Sequence, residues 1–290
     1  MPCRRNCPAG GERLIAHLPA GMPCARRDRL RSNLMRVAGA ALFGMGLWEI
    51  VALTVQSMRG IPFPTPFDCA IGLVQLMGGS PFLDFTIYEH TLASCARWVS
   101  GFVLAYGAGI AYAFAAFWCP LFRAVSMPTV EVLQLIPGLA WVPVVILLFG
   151  LSPASTLAII VLTTFPVIAV SAAMGFSSAD TDHVRVGLMC GYGFWGLLRS
   201  VYLPSALPHI LSGTRIALGV SWRVLVAAEM VVGSGEGLGF AIIQSRWTMD
   251  YVSAFVCIII IALIGLGLER LILLPLERRT IKRWEMSHER

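Results

Sequence analysis

The sequence predicts an all-α membrane protein with about six transmembrane helices, and three observations carry that prediction. Of 290 residues, 57% are hydrophobic and only 13% are charged, against about 25% charged in a soluble globular domain. Val132 to Ala179 contains no Asp, Glu, Lys or Arg. As helix that run would measure roughly 70 Å, over twice a bilayer core of about 30 Å, so it must cross, turn and cross again. The basic residues are also segregated along the chain. With the N-terminus inside, the inside segments hold seventeen of them and the outside segments only Arg59 and Arg246. Such bias places both termini in the cytoplasm and fits an even number of spans. The net charge of +6 is therefore topology, not a footprint for nucleic acid.

Taken in order, residues 1–33 are rich in arginine and proline and lack a sustained apolar run, so no signal peptide is expected. They read as a disordered cytoplasmic tail, or as a start assigned too early, with Met22 or Met35 the alternatives. Spans are expected at about 34–58, 87–119, 124–149, 155–176, 205–232 and 251–274, and a second cytoplasmic tail over 276–290. The hinge between the third and fourth falls at Gly150-Leu-Ser-Pro153, two strong chain-turning residues in a short stretch. Residues 59–68 read as an extended outside link, followed by a short amphipathic helix at about 67–78. Tryptophans 48, 98, 118, 222 and 247 are expected near span ends as interfacial anchors. Glu49 and Glu131 are expected to be hydrogen-bonded structural residues.

Residues 177–210 interrupt the apolar pattern and form the longest internal cytoplasmic loop. Asp180 and Asp182 can cap a helix beginning near His183. Gly191 and Gly193 break that helix, a second short one carries Trp195 and Arg199, and Leu203-Pro204 is expected to stop it before the fifth span. Proline is tolerated in a first turn but not in a helix interior. A helix lying on the bilayer surface would need a denser basic face than Arg185 and Arg199 supply. A docking element for a cytoplasmic protein fits better.

Several functions are excluded. The only lysine is Lys282, followed by Arg283, so no phosphate-cradling G-x-x-x-x-G-K-[ST] loop exists. The run Gly233 to Gly239 lacks G-x-G-x-x-G spacing and reads as a turn entering a short re-entrant or surface segment. No H-E-x-x-H, no G-x-S-x-G and no pair of aspartates within spans supports a protease. The eight cysteines include no C-x-x-C and no adjacent histidine pair, so no metal site is expected. His90 and His209 read as structural histidines.

His90, Ser94, Arg97 and Gly101-Phe102 form the pattern "H..AS..R...GF", and "IPGLAWVPVVILLFG" (136–150), "FPVIAVSAAMG" (165–175), "LPSALPHILSGTRIALG" (203–219), and "AAEM" with "GLG" (227–230, 237–239) follow in order. That pattern of blocks, over about residues 85–275, resembles the permease subunits of binding-protein-dependent ABC importers of type I, and within them the sulfonate/taurine/nitrate branch. Gly191 and Val201-Tyr-Leu203-Pro204 match the family's cytoplasmic EAA loop, although its Glu-Ala-Ala positions fall on Arg185-Val186-Gly187. The resemblance implies a type-1 transmembrane module over 86–275, preceded by a first span and link over 34–85. It implies a coupling loop at 177–204 in which Arg185, Gly191, Gly193, Trp195, Leu203 and Pro204 meet an ATPase. It further implies a second copy of the chain, two cytoplasmic ATPase subunits and a periplasmic binding protein, with ATP used by the partner and no cofactor held here. The substrate led by this resemblance is taurine or another alkanesulfonate, with nitrate, bicarbonate and vitamin precursors as alternatives. A secondary carrier working without ATP is the competing class.

Charge within a span is costly and points to function. Arg215, Arg223 and Glu229 fall in the fifth span. Arg223 and Glu229 are about 240° apart around a helix, and Arg215 and Glu229 share a face but differ by about 21 Å in height. Each needs a partner elsewhere, such as Glu131 or Arg97, or a water-filled path, and Arg223 is the candidate for lining a route favouring an anion.

Overall fold

The computed structural model describes residues 24–60, 62–82, 84–233 and 235–273. The chain divides into two compact units, Met1–Pro66 and Phe67–Arg290. In the first, α1 (Cys24–Arg59) is one long helix that begins ahead of the expected start at 34, because the intervening residues are ordinary helix formers without glycine or proline. Trp48 and Gln56 donate side-chain N–H groups to the Pro64 and Phe63 carbonyls, folding the link back along α1. Of the expected tail over 1–33, residues 24–33 are instead the start of α1, while residues 1–23 and the expected tail over 276–290 lie outside the described residues.

The second unit opens with α2 (Pro66–Met77). Next comes α3 (Ile87–Trp118), whose start is fixed by a capping box: the Thr86 side chain accepts from Glu89 N–H while Glu89 accepts from Thr86 N–H. That arrangement satisfies two backbone donors a helix end otherwise leaves open. Then follow α4 (Pro120–Leu135), a 3₁₀ turn (Gly138–Trp141), α5 (Val142–Phe149) and α6 (Pro153–Ser177). The hinge read at Gly150 is present: Gly150 has φ of +69°, and Pro153 opens α6. The third span is not the single rod expected over 124–149. It bends by 103° between Leu135 and Gly138, because Pro137 disfavours helical geometry at Ile136. Ile136 is extended, with ψ of 122°.

Three long helices pack through small residues. Gly101 and Gly109 of α3 sit so close to Ile160 and Ile168 of α6 that a Cβ on either glycine would approach them to 2.8 Å. Gly213, in the long helix Leu203–Val232, meets Ser171 in the same way. Lipid tails are as apolar as leucine, so association depends on such close backbone approach rather than on hydrophobic exclusion.

After α6 come α7 (Thr181–Met189), α8 (Phe194–Leu197), a π-turn (Leu198–Tyr202), α9 (Leu203–Val232), α10 (Leu238–Trp247) and α11 (Tyr251–Gly267), which ends in a second π-turn (Leu268–Leu273). Among the described residues, four helices are long and apolar enough to cross a membrane, lying within α1, α3, α6 and α11, and the bent α4–α5 pair makes five. α9 has 30 residues, about 45 Å of helix, but carries Arg215, Arg223 and Glu229 along that length.

Two of the tryptophans are core rather than interface. Trp98 and Trp222 are buried edge to face at 5.9 Å, and their indole N–H groups donate to Ser221 Oγ and the Ile261 carbonyl. They join α3, α9 and α11. Burial of these two indoles is tolerable because each N–H has a partner. Trp118 and Trp247, by contrast, are exposed at helix ends as anchors would be. Among the described residues, neither Glu49 nor Glu131 makes the expected side-chain hydrogen bond.

Candidate functional sites: a coupling elbow and a buried clasp

The interruption at 177–204 folds as an elbow. Asp180 caps α7, accepting from the Asp182 N–H at 2.9 Å, so the helix starts at Thr181, close to the expected position. Its end is a Schellman turn: Gly191 N–H donates to the Leu188 carbonyl and Tyr192 N–H to the Gly187 carbonyl, each at 3.0 Å. This motif needs a left-handed residue one position past the cap. Gly191 supplies it, with φ of +80°. Gly193 then occupies the N-cap of α8. Gly187, in the third of the three Glu-Ala-Ala positions, lies against Leu197, where a Cβ would come within 2.6 Å. A small residue there lets α7 close onto α8. Arg185, by contrast, is exposed and pairs along its own helix with Asp182 at 3.2 Å.

Pro204 does not stop the second helix. Leu203 N–H donates to the Leu198 carbonyl, closing the π-turn, and Tyr202 and Leu203 both have helical dihedrals. Pro204 lacks an N–H, and the widened turn relieves the clash its ring would otherwise make, so the helix runs on. The segment Phe194–Val232 is consequently one continuous helical run, with Pro208 inside α9. Tyr202 anchors its base edge to face on Phe117 of α3 at 4.7 Å, and Phe117 in turn packs on Phe176 of α6.

At the other end of α9 lies a network that no single block of sequence reveals. Glu229 is fully buried. Its carboxylate accepts from Arg97 Nη1 at 2.8 Å, from Ser94 Oγ at 2.8 and 2.9 Å, and from Gly239 N–H at 3.0 Å. Arg97 reaches on to the Glu236 carbonyl at 2.8 Å and its carboxylate at 3.1 Å. Ser94 Oγ accepts from Leu238 N–H, and His90 Nδ1 accepts from Gly237 N–H while its Nε2 faces the Phe82 carbonyl. His90, Ser94 and Arg97 are spaced i, i+4, i+7, so one face of α3 presents all three. The glycine run at 233–239 supplies the backbone they hold. Gly233, Gly235 and Gly237 all have positive φ, and a Cβ on Gly237 would lie 2.6 Å from Glu229 Oε1. The run is a turn, as expected, but the α10 that follows is not a surface segment: its Leu238, Gly239, Ala241 and Ser245 are buried, and His90 is fully buried with both ring nitrogens turned to backbone groups.

The three span charges are not gathered into one site. Glu229 is enclosed with Arg97, one of the partners its position demanded. Arg215 and Arg223 are exposed on α9, which also presents Ser212, Ile216 and Gly219 outward in the same stripe. Arg223 donates Nε–H to the Gly219 carbonyl of its own helix at 2.9 Å and forms no ion pair among the described residues. Arg215 and Glu229 share a face in projection yet differ in burial, because α10 and the turn before it cover only the last part of α9. No group of three or more metal-ligating side chains occurs among the described residues.

Residues 105–280 match the family model described as the inner membrane component of binding-protein-dependent transport systems. The chain is 34% identical over 230 residues to the taurine transport system permease protein TauC of Escherichia coli, covering 78% of this chain and 82% of that one. It is 29% identical over 246 residues to the putative aliphatic sulfonates transport permease protein SsuC of Bacillus subtilis, covering 84% and 86%. It is 31% identical over 191 residues to the bicarbonate transport system permease protein CmpB of Synechococcus elongatus, covering 66% and 68%. A helical, membrane-spanning chain with this match belongs to the binding-protein-dependent ABC permease family, and is a multi-pass inner membrane importer subunit rather than an enzyme.

Proposed function

We propose that the chain forms, with a second copy of itself, the translocation path for a small anion delivered by a periplasmic binding protein and driven by cytoplasmic ATPase subunits. The three relatives are named for taurine, aliphatic sulfonates and bicarbonate, which supports an anionic substrate, with an alkanesulfonate or taurine first and a nitrate-like anion next. The charge asymmetry of the chain supports cytoplasmic termini, and hence an elbow at 177–204 that faces the ATPase.

The observation that carries this reading is the continuity of the elbow with α9. In it α7, carrying Arg185, is the docking helix, while Gly191 and Gly193 form the corner. Trp195 and the Leu203-Pro204 joint lie on the rod that conveys displacement into the membrane. Arg215 and Arg223, on the exposed stripe of that same rod, face the path and favour negative charge. Glu229 is left out of the path because its carboxylate is enclosed in the clasp.

The test is to tag the chain, extract it gently from native membranes and identify its companions by mass spectrometry. An ATPase with a phosphate-binding loop should co-purify and be lost when Gly191 is replaced by valine, which cannot hold positive φ at the corner. Uptake by the purified chain alone, driven by an ion gradient, would instead establish a secondary carrier.

A further inference from the structure

Beneath the elbow, on the side of the rod away from α7, lies a groove of about 650 Å³ between α3 and the stretch Trp195–Leu203. It is lined by Gly107 and Ala111 of α3 and by the rings of Phe114, Phe176 and Trp195, and Arg199 is its one charged lining residue among the described residues. Gly107 opens fully onto it, with no protein atom within 4 Å of where a Cβ would stand. Arg199 makes no hydrogen bond or ion pair among the described residues, and it stands in the π-turn, a geometry frequent where a helix serves a site.

We propose that this groove holds one anionic phospholipid, its acyl chain along Gly107 and Ala111 and its phosphate on the Arg199 guanidinium. Charge and depth both point to that occupant. A groove lined by apolar residues together with one arginine matches a molecule with an apolar tail and an anionic head. A guanidinium fork fits phosphate oxygens in two parallel hydrogen bonds. The level is marked by Trp118, Phe194 and Trp195, which pack edge to face at 4.7 and 5.5 Å. Trp118 and Trp195 remain 61% and 71% exposed. Aromatic clusters of this kind sit at the bilayer–water boundary, where headgroups are. The lipid would brace the π-turn from the membrane side, opposite to the face that α7 offers.

The test uses the full-length chain in mild detergent, titrated with phosphatidylglycerol or phosphatidylcholine, with bound lipid counted by native mass spectrometry. The wild type should retain phosphatidylglycerol in preference to phosphatidylcholine, and inorganic phosphate should not displace it. Arg199→Gln should lower phosphatidylglycerol retention about tenfold, since it removes a charge-assisted bidentate contact. Gly107→Phe, whose ring would grow into the groove, should lower retention of both lipids. Arg123→Gln, outside the lining, should change neither. Arg199 is exposed and bonded to nothing else described, so its replacement tests the proposal without threatening the fold. Wild-type lipid preference in Arg199→Gln would overturn it. So would a cross-link from Gly107→Cys to a co-purified ATPase, which would make the occupant a protein.

Discussion

Arg97 and Glu229, separated by 132 positions in the chain, meet at 2.8 Å in a site where the carboxylate has no exposure at all. A buried pair of this kind is costly to break, because removing one partner strands the other's charge. Arg97→Met or Glu229→Ala alone should each destabilise the chain by about 3–5 kcal/mol. The double replacement with apolar residues should recover part of the loss, since neither charge is then left alone. Thermal unfolding of the four species in one detergent checks this, and strictly additive losses would argue against a direct pair.

The glycine turn makes a graded prediction. Gly235→Ala meets open space and costs only the left-handed backbone term, about 1–2 kcal/mol. Gly237→Ala adds a collision with the Glu229 carboxylate and the Arg97 guanidinium, 2.6 and 2.8 Å from its Cβ. Its loss of stability should be clearly the larger. Equal melting temperatures would mean that the turn is not held by the clasp.

Arg185 separates stability from coupling. Its bond to Asp182 is an exposed i, i+3 pair, and such pairs contribute about 0.2–0.5 kcal/mol. Arg185→Glu should leave unfolding nearly unchanged while altering the amount of ATPase that co-purifies, and hence ATP-dependent uptake in reconstituted vesicles. Unchanged co-purification and uptake would remove α7 from the docking surface.

Arg223→Leu should reduce uptake of an anionic substrate while leaving expression and partner recovery intact, because its only bond among the described residues is to its own helix. Uptake of a radiolabelled alkanesulfonate without an amine, in cells that depend on this chain for it, provides the readout. Normal uptake would place Arg223 off the path.

Much of the fold is legible in the order of residues where the relevant physics is local. The Gly150–Pro153 hinge, the Asp180 cap and the Gly191 corner each depend on one residue's backbone preference or short side chain, so each could be read directly. The break at Ile136-Pro137 was hidden because hydropathy is uniformly high across it, and a run without charge says how much membrane it covers but not whether it is straight. Pro204 misled for a related reason. Proline usually ends a helix, and only the π-turn ahead of it, invisible to any periodicity of 3.6, makes room for its ring. The clasp was half legible. Glu229 had to have a distant partner, and Arg97 was among those available. What could not be read was that Gly237 and Gly239 bring their own N–H groups to the same site, because backbone donors leave no mark in side-chain chemistry. The spacing of His90, Ser94 and Arg97 on one face of α3 is the signal that could have pointed there.

The rod from Phe194 to Val232 also sets a rule of phase. It is held at its base by the ring of Tyr202 and near its far end by the carboxylate of Glu229, so both azimuths are pinned at once. Losing or gaining one residue anywhere between those pins would turn one relative to the other by about 100°, swinging Glu229 away from Arg97 or Tyr202 away from Phe117. Residue identity along the exposed stripe is thus free to drift, whereas the number of residues between the two pins is not.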